Sequence, residues 1–171
     1  MNYSTLEAAL GLTAPWKVIE DTFSVEEKRL DITIDFEPGS TFTCPVCGAG
    51  GAKAYDTQER TWRHLNFFQH ETYLHARVPR VECPQGCGIK TVEVPWTRSG
   101  SGFTALFEAL IMIIMPVAVI AAMVGEHDTR IWRVLHHHVE EARREADFSE
   151  VRRVGMNETG SRRGHIEPIL A

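Results

Sequence analysis

The chain has 171 residues, 43% hydrophobic and 24% charged, which suits one ordinary folded domain or two small ones and excludes a low-complexity polypeptide. A formal net charge of −5 argues against a nonspecific coat on nucleic acid. That average hides a partition: residues 1–40 carry 3 basic against 8 acidic side chains and residues 101–150 carry 4 against 8, whereas residues 41–100 carry 7 against 5 and residues 151–171 carry 4 against 2.

A short helix is predicted over residues 6–12, ending at Gly11 or before Pro15. Strand-like runs follow over 16–23 and 30–37. In the second, Leu30, Ile32, Ile34 and Phe36 alternate with Asp31, Thr33, Asp35 and Glu37, the period of a half-buried strand. Pro38-Gly39-Ser40 breaks it ahead of Cys44-Pro45-Val46-Cys47, and a second pair follows as Cys83-Pro84-Gln85-Gly86-Cys87. These are the chain's 4 cysteines, and strand-like sequence over 60–65 and 73–82 lies between the pairs. Each pair therefore reads as a hairpin tip delivering two thiolates, and four thiolates are the closed, structural type of zinc site. Two disulfides, or one disulfide and a redox pair, are the competing reading. The start Met1-Asn2-Tyr3-Ser4 lacks the basic and apolar regions of a signal peptide, so a reducing compartment is expected, which disfavours disulfides. His64, His70 and His75 could replace a thiolate, but with four available they are read as surface or packing residues.

A strand over 90–96 closes this β-rich unit, and Thr97-Arg98-Ser99-Gly100-Ser101-Gly102 is expected to be a linker. The periodicity then becomes helical. Residues 106–124 form a 19-residue stretch whose one charge is Glu108, near the length of a membrane span. Pro116 in its middle and the internal Glu108 favour two buried helices, over 104–115 and 116–124, with Pro116 in the first turn of the second. Gly125-Glu126-His127 makes a turn, and Asp128 or Thr129 is expected to cap a helix reaching about Ala146. One face of that helix carries Ile131, Val134, Leu135, Val139, Ala142 and Ala146. Helix, glycine turn and capped helix make a helix-turn-helix pattern, whose second helix would present Thr129, Arg130, Arg133 and His137 to a DNA major groove. An ordinary helical hairpin with a wet outer face is the alternative. His136-His137-His138 does not suggest a metal site, because consecutive helical side chains diverge by about 100°. His138 is placed near the core edge and the other two towards solvent or DNA. A strand is predicted over 151–156, with Asn157-Glu158 at its end, and Arg162-Arg163-Gly164-His165 could touch phosphate or form a mobile basic tail.

Taken in order, these parts resemble a family of bacterial insertion-sequence transposases, the ISL-three type. Cys44-Pro45-Val46-Cys47-Gly48, Arg60-Thr61-Trp62-Arg63-His64-Leu65 and Arg80-Val81-Glu82-Cys83-Pro84 with Cys87 are similar to that family's zinc ribbon. Residues 115–125 and Ile131-Trp132-Arg133-Val134-Leu135 resemble its helix-turn-helix, and Val154-Gly155-Met156-Asn157-Glu158-Thr159 the first strand of its RNase H-like DDE domain. The resemblance covers roughly residues 16–165 and implies an α+β chain: a β-rich zinc ribbon, then an α-helical helix-turn-helix, then the first strand of an incomplete RNase H-like domain. The expected segments are 1–40 (helix and β-hairpin packed on the ribbon), 41–100 (ribbon), 101–148 (helix-turn-helix) and 149–171 (start of the DDE domain).

The implied cofactor is structural Zn²⁺ on Cys44, Cys47, Cys83 and Cys87, and the implied partner is double-stranded DNA at the element ends. A second copy or a full-length transposase is a further possible partner, with no membrane involved. Bacterial cytoplasm, associated with the nucleoid, is the expected location. Family members carry aspartate where this chain has Asn157, and an amide cannot neutralise Mg²⁺. With the chain ending at Ala171, the other two carboxylates have no place, so the expectation is a truncated, non-catalytic DNA-binding fragment without a Mg²⁺ site. The alternative is an inhibitor or partner subunit of an intact transposase.

Overall fold

The computed structural model describes residues 3–113, 116–147, 149, 156–162 and 165–170. Two compact units divide the chain, Met1–Leu135 and His136–Ala171.

In the first unit, helix α1 (Ser4–Leu10) ends at Gly11, whose φ of +65° is the left-handed closure that glycine adopts without strain. Glu7 of α1 accepts a hydrogen bond from the Val18 backbone at 3.0 Å. Strands β1 (Trp16–Ser24), β2 (Arg29–Phe36), β3 (Thr41–Phe42), β4 (Ala52–Phe67), β5 (His70–Glu82) and β6 (Ile89–Thr91) form one sheet in the order β1-β2-β5-β4-β3, with β6 also paired to β5. All pairings are antiparallel except β2 with β5. The period-two reading of β2 holds through Ile34, with Leu30, Ile32 and Ile34 buried, and fails at the end, where Asp35 is buried beside Arg77 and Phe36 is half-buried. Residues 1–40 share one sheet and one core with the segment that follows, for Trp16 packs edge-on against Trp96 at 5.1 Å and Trp62 against Trp96 at 5.6 Å.

Two strands differ from expectation. β4 begins eight residues before the predicted position 60, because its start pairs with β3 through Ala52 and Lys53 and with β5 from Ala54 onward. β6 stops at Thr91, well before residue 96. Val92 donates to the Pro79 carbonyl at 2.9 Å, but Pro79 has no N–H to return, and the ladder ends there.

Residues 97–102 are a folded loop rather than a linker. Thr97 Oγ1 donates to the Phe103 carbonyl at 2.7 Å, and buried Glu108 accepts from Arg98 at 2.9 Å and from Ser101 at 2.5 Å. Helices α2 (Ala105–Ile111) and α3 (Val117–Val124) follow. α2 is shorter than predicted, and of the expected helix the last two residues, 114 and 115, lie outside the described set. Pro116 stands one position earlier than expected, as the extended N-cap residue of α3. Helix α4 (Asp128–Glu145) begins at Asp128 itself; the preceding His127 supplies the capping acceptor, its Nδ1 taking the Thr129 N–H at 3.4 Å, while its carbonyl takes the Arg130 N–H at 2.9 Å. Phe103, Phe107, Ile111, Ile120, Ala121, Val124, Ile131 and Val134 form a second core, to which β4 contributes Leu65. Val139, predicted on the apolar face, is 42% exposed, so burial of α4 is confined to its first half.

In the second unit, β7 (Met156–Arg162) pairs antiparallel with β8 (His165–Leu170). Asn157 lies near the start of β7, opposite Ile169, rather than at a strand's end. Of the strand predicted over 151–156, all but Met156 falls outside the described residues, as do residues 163–164 of the basic tail. No described helix is long and apolar enough to cross a membrane.

Candidate zinc centre and nucleic-acid interface

Each cysteine pair occupies a tight turn between antiparallel strands, Cys44 and Cys47 between β3 and β4, Cys83 and Cys87 between β5 and β6. In the first turn the Cys44 N–H reaches the Ala49 carbonyl at 2.8 Å and the Gly48 N–H returns to the Cys44 carbonyl at 2.9 Å. The second repeats this with Cys83 to Gly88 at 3.1 Å and Gly86 to Cys83 at 3.1 Å. Gly48 and Gly86 sit at φ +74° and +84°, the region that lets the chain fold back beneath a metal ligand.

The ribbon thus brings two sequence-distant pairs together, and all four sulfurs lie within 4.8 Å of one another. Cys47 and Cys83 approach to 3.4 Å. A tetrahedral zinc with bonds of about 2.3 Å separates its ligand sulfurs by about 3.8 Å, so the set fits one ion. Cys44 and Cys83 are buried, Cys87 is half-buried and Cys47 is exposed. Backbone N–H donors, from Cys87 first and then Gln85, draw the Cys83 thiol down to about 6, which favours the thiolate that a metal requires. Hydrogen bonds to the Cys83 and Cys47 sulfurs, first, and only lastly their charges push Cys87 up to about 12, so its proton is the one a divalent cation would have to displace. None of the four is in a disulfide. The predicted metal ligands are therefore together, and His64, His70 and His75 are elsewhere: His64 bonds Thr104 at 2.8 Å, His70 packs on Phe23 and His75 bridges Thr61 and Asp31.

The helical part presents α4 after a turn whose Gly125 has φ +72°. Of the four residues predicted to meet DNA, Thr129 is exposed on the first turn, its hydroxyl 3.0 Å from His127 Nδ1. Arg133 is exposed and has no ion-pair partner among the described residues. Arg130 is engaged with the protein: it donates to Glu126 at 2.5 Å, and its guanidinium lies 4.6 Å above the Phe103 ring. His137 is half-buried, 3.8 Å from Glu141, which also stands 3.8 Å from His138. Two rings of the histidine run thus converge on one carboxylate, because Glu141 sits one turn further along and spans the angle between them.

Sequence reasoning missed Arg63. Its side chain is 1% exposed, yet it lies in a strand. It donates to the carbonyls of Thr72 at 3.2 Å and Val124 at 3.0 Å, to that of His64, and to Asn66 Oδ1 at 2.5 Å. Burial lowers its pKa, the largest effect, against the opposing pull of Glu71, Tyr73 and Glu126. The available signal was period two: Arg63 shares a strand face with Leu65, which also belongs to the helical core.

A zinc ribbon joined to a helix-turn-helix defines the class of this chain. Residues 40–87 match the family model described as the zinc-finger of transposase IS204/IS1001/IS1096/IS1165, and residues 92–139 that of the helix-turn-helix domain of transposase family ISL3. The chain is 34% identical over 133 residues to the transposase for insertion sequence element IS1557 of Mycobacterium tuberculosis, in strains CDC 1551 / Oshkosh and ATCC 25618 / H37Rv. That match takes in 70% of this chain and 28% of the length of those curated relatives. No solved structure matches the chain. The chain carries the amino-terminal region of an ISL3-type transposase, its zinc ribbon and its helix-turn-helix DNA-binding domain.

Proposed function

We propose that this chain recognises the terminal inverted repeats of an insertion sequence, with α4 entering the major groove and zinc holding the ribbon in shape. The observation that carries the reading is the solvent face of the first half of α4, where Thr129 and Arg133 are exposed opposite buried Ile131 and Val134, inside a segment matching a transposase helix-turn-helix. Arginine in this setting pairs with guanine through two hydrogen bonds or with phosphate through charge. Cys44, Cys47, Cys83 and Cys87 would hold the metal, which supplies cross-linking of the two turns and no open position for a substrate.

Strand transfer is not part of the proposed activity. Asn157 stands where the resemblance calls for the first catalytic aspartate, and a neutral amide is a poor partner for Mg²⁺. Incubation with element-end DNA and Mg²⁺ or Mn²⁺ should give no cleavage, and robust nicking would refute this part.

The binding reading is tested by fluorescence anisotropy of zinc-loaded protein on duplex DNA flanking its coding sequence and on scrambled duplex, over a salt series. Sequence-dependent affinity that weakens with salt is expected. Equal, weak binding to both duplexes would refute repeat recognition.

A second reading, association with an intact transposase as an inhibitor, is favoured by an exposed apolar tip. Phe68 is 81% and Val25 69% exposed, and Phe67 stacks edge-on with Phe68 at 4.9 Å and with Phe23 at 6.5 Å. Co-expression with an intact relative would then lower transposition, whereas a productive partner subunit would raise it.

A further inference from the structure

We infer that Arg130 is a positioning residue rather than a DNA contact: Glu126, itself faced by Arg63, and the Phe103 ring hold its guanidinium against the protein, and Arg133 supplies the cation that meets DNA. The inference rests on the DNA-binding reading of α4 and divides the roles within it.

The network starts in the sheet. Arg63 reaches from β4 to the carbonyl of Val124, the last residue of α3, and so satisfies one of the backbone acceptors that a helix end leaves open. Its Nε makes no hydrogen bond but faces Glu126 Oε1 at 3.8 Å. The Glu126 side chain is 8% exposed, and its other oxygen takes Arg130 Nη1 at 2.5 Å. One nearly buried carboxylate in the turn thereby serves an arginine of the sheet and an arginine of α4.

Arg130 has two further neighbours. The Phe103 ring lies 4.6 Å below its guanidinium, and a methyl group on Gly102 would stand 3.6 Å from its Nη2. Gly102 is itself fixed, since its carbonyl accepts the Arg63 N–H at 2.9 Å. To reach a phosphate, Arg130 would have to leave the aromatic face and strand Glu126, in low-dielectric surroundings, with Arg63 alone at 3.8 Å. Arg133 gives up no ion pair among the described residues by turning to DNA.

The test is the slope of log K against log salt for the full zinc-loaded chain on a random-sequence duplex, where each phosphate contact contributes about 0.9. Arg133→Gln should flatten the slope by about that amount, and Arg130→Gln should leave it at the wild-type value. Glu126→Gln frees Arg130 and should steepen the slope by about 0.9, and adding Arg130→Gln should restore it. A purely structural role for Glu126 would not move this slope. An Arg130→Gln slope as shallow as that of Arg133→Gln overturns the inference, and so does a folded Glu126→Gln protein with the wild-type slope. Arg130→Gln decides alone if Glu126→Gln does not fold. A wild-type chain that binds no duplex refutes the DNA reading instead. The network is then read without DNA, from the coupling of Glu126 and Arg130 in a thermal-unfolding double-mutant cycle; zero coupling overturns it.

Discussion

The sheet of the first unit packs Trp16, Trp62 and Trp96 with Phe42, Leu74 and Val81 into a broad core, and its far edge closes on four convergent sulfurs. The helices that follow bury a smaller set, stacked around Phe103 and Phe107 at 4.7 Å, and borrow Leu65 from the sheet to complete it. Polar groups do in the helical part what area and metal do in the sheet. Arg63 closes α3, Glu108 fastens the loop into α2, and His64 meets Thr104, the residue that caps α2 by accepting the Phe107 N–H at 3.3 Å. A small core leaves fewer apolar contacts to fix helix positions, so directional hydrogen bonds from a rigid sheet take over that task.

The largest effect should come from breaking the metal end of the sheet. Cys44→Ser removes a buried ligand, and zinc bound only by the folded chain contributes its binding free energy to folding. Loss of stoichiometric zinc by metal analysis and a fall in Tm of roughly 20 °C or more are expected. An unchanged Tm would mean that the tryptophan core alone holds the sheet.

Breaking the polar anchor comes next. Glu126→Ala takes from Arg63, 1% exposed, the carboxylate 3.8 Å from its Nε and leaves Glu71 as the opposing charge, which costs about 3 kcal/mol, the low end for breaking a buried pair. Hydrogen exchange should accelerate in residues 117–135 while β2 and β5 remain protected. Equal acceleration in both regions would show one cooperative unit and erase the contrast between them.

The smallest effect is a pH dependence at the seam. Burial first, and then the Arg63 charge, lower His64 to about 4 from its ordinary value near 6.5. The folded chain therefore holds His64 neutral while the unfolded chain takes up a proton below about 6.5. Stability from this group is fully present above that pH and is lost as pH falls to about 4, by at most about 1.4 kcal/mol per pH unit. Urea midpoints measured across this window should lose that slope in His64→Gln, and an unchanged slope would assign the acid sensitivity to other groups.

The convergence of the four cysteines, the alternation of most of β2, the glycine turn and the start of α4 were legible because each is a local code of spacing, capping or period two. The loop over 97–102 was not. Gly, Ser and Thr read as a flexible connection, whereas Glu108, ten residues on from Arg98, folds it into place with two hydrogen bonds. Glu108 itself registered as an interruption in an apolar run, since its partners belong to another element. The end of β6 depended on a proline in the neighbouring strand, and Arg130 read as an outward cation because helical geometry fixes where a side chain leaves the helix, not what waits there.

By itself the sequence determined the two cysteine pairs and the order of the main strands, turn and helices, because cysteine spacing and hydrophobic period act over a few residues. Only the tertiary structure decided that Arg63 is an internal anchor, that Arg130 is bound to Glu126, and that Arg133 is left with no ion-pair partner among the described residues. The physical reason is that a charged side chain has no fixed role until burial sets its dielectric surroundings and the fold brings it, or withholds, a partner.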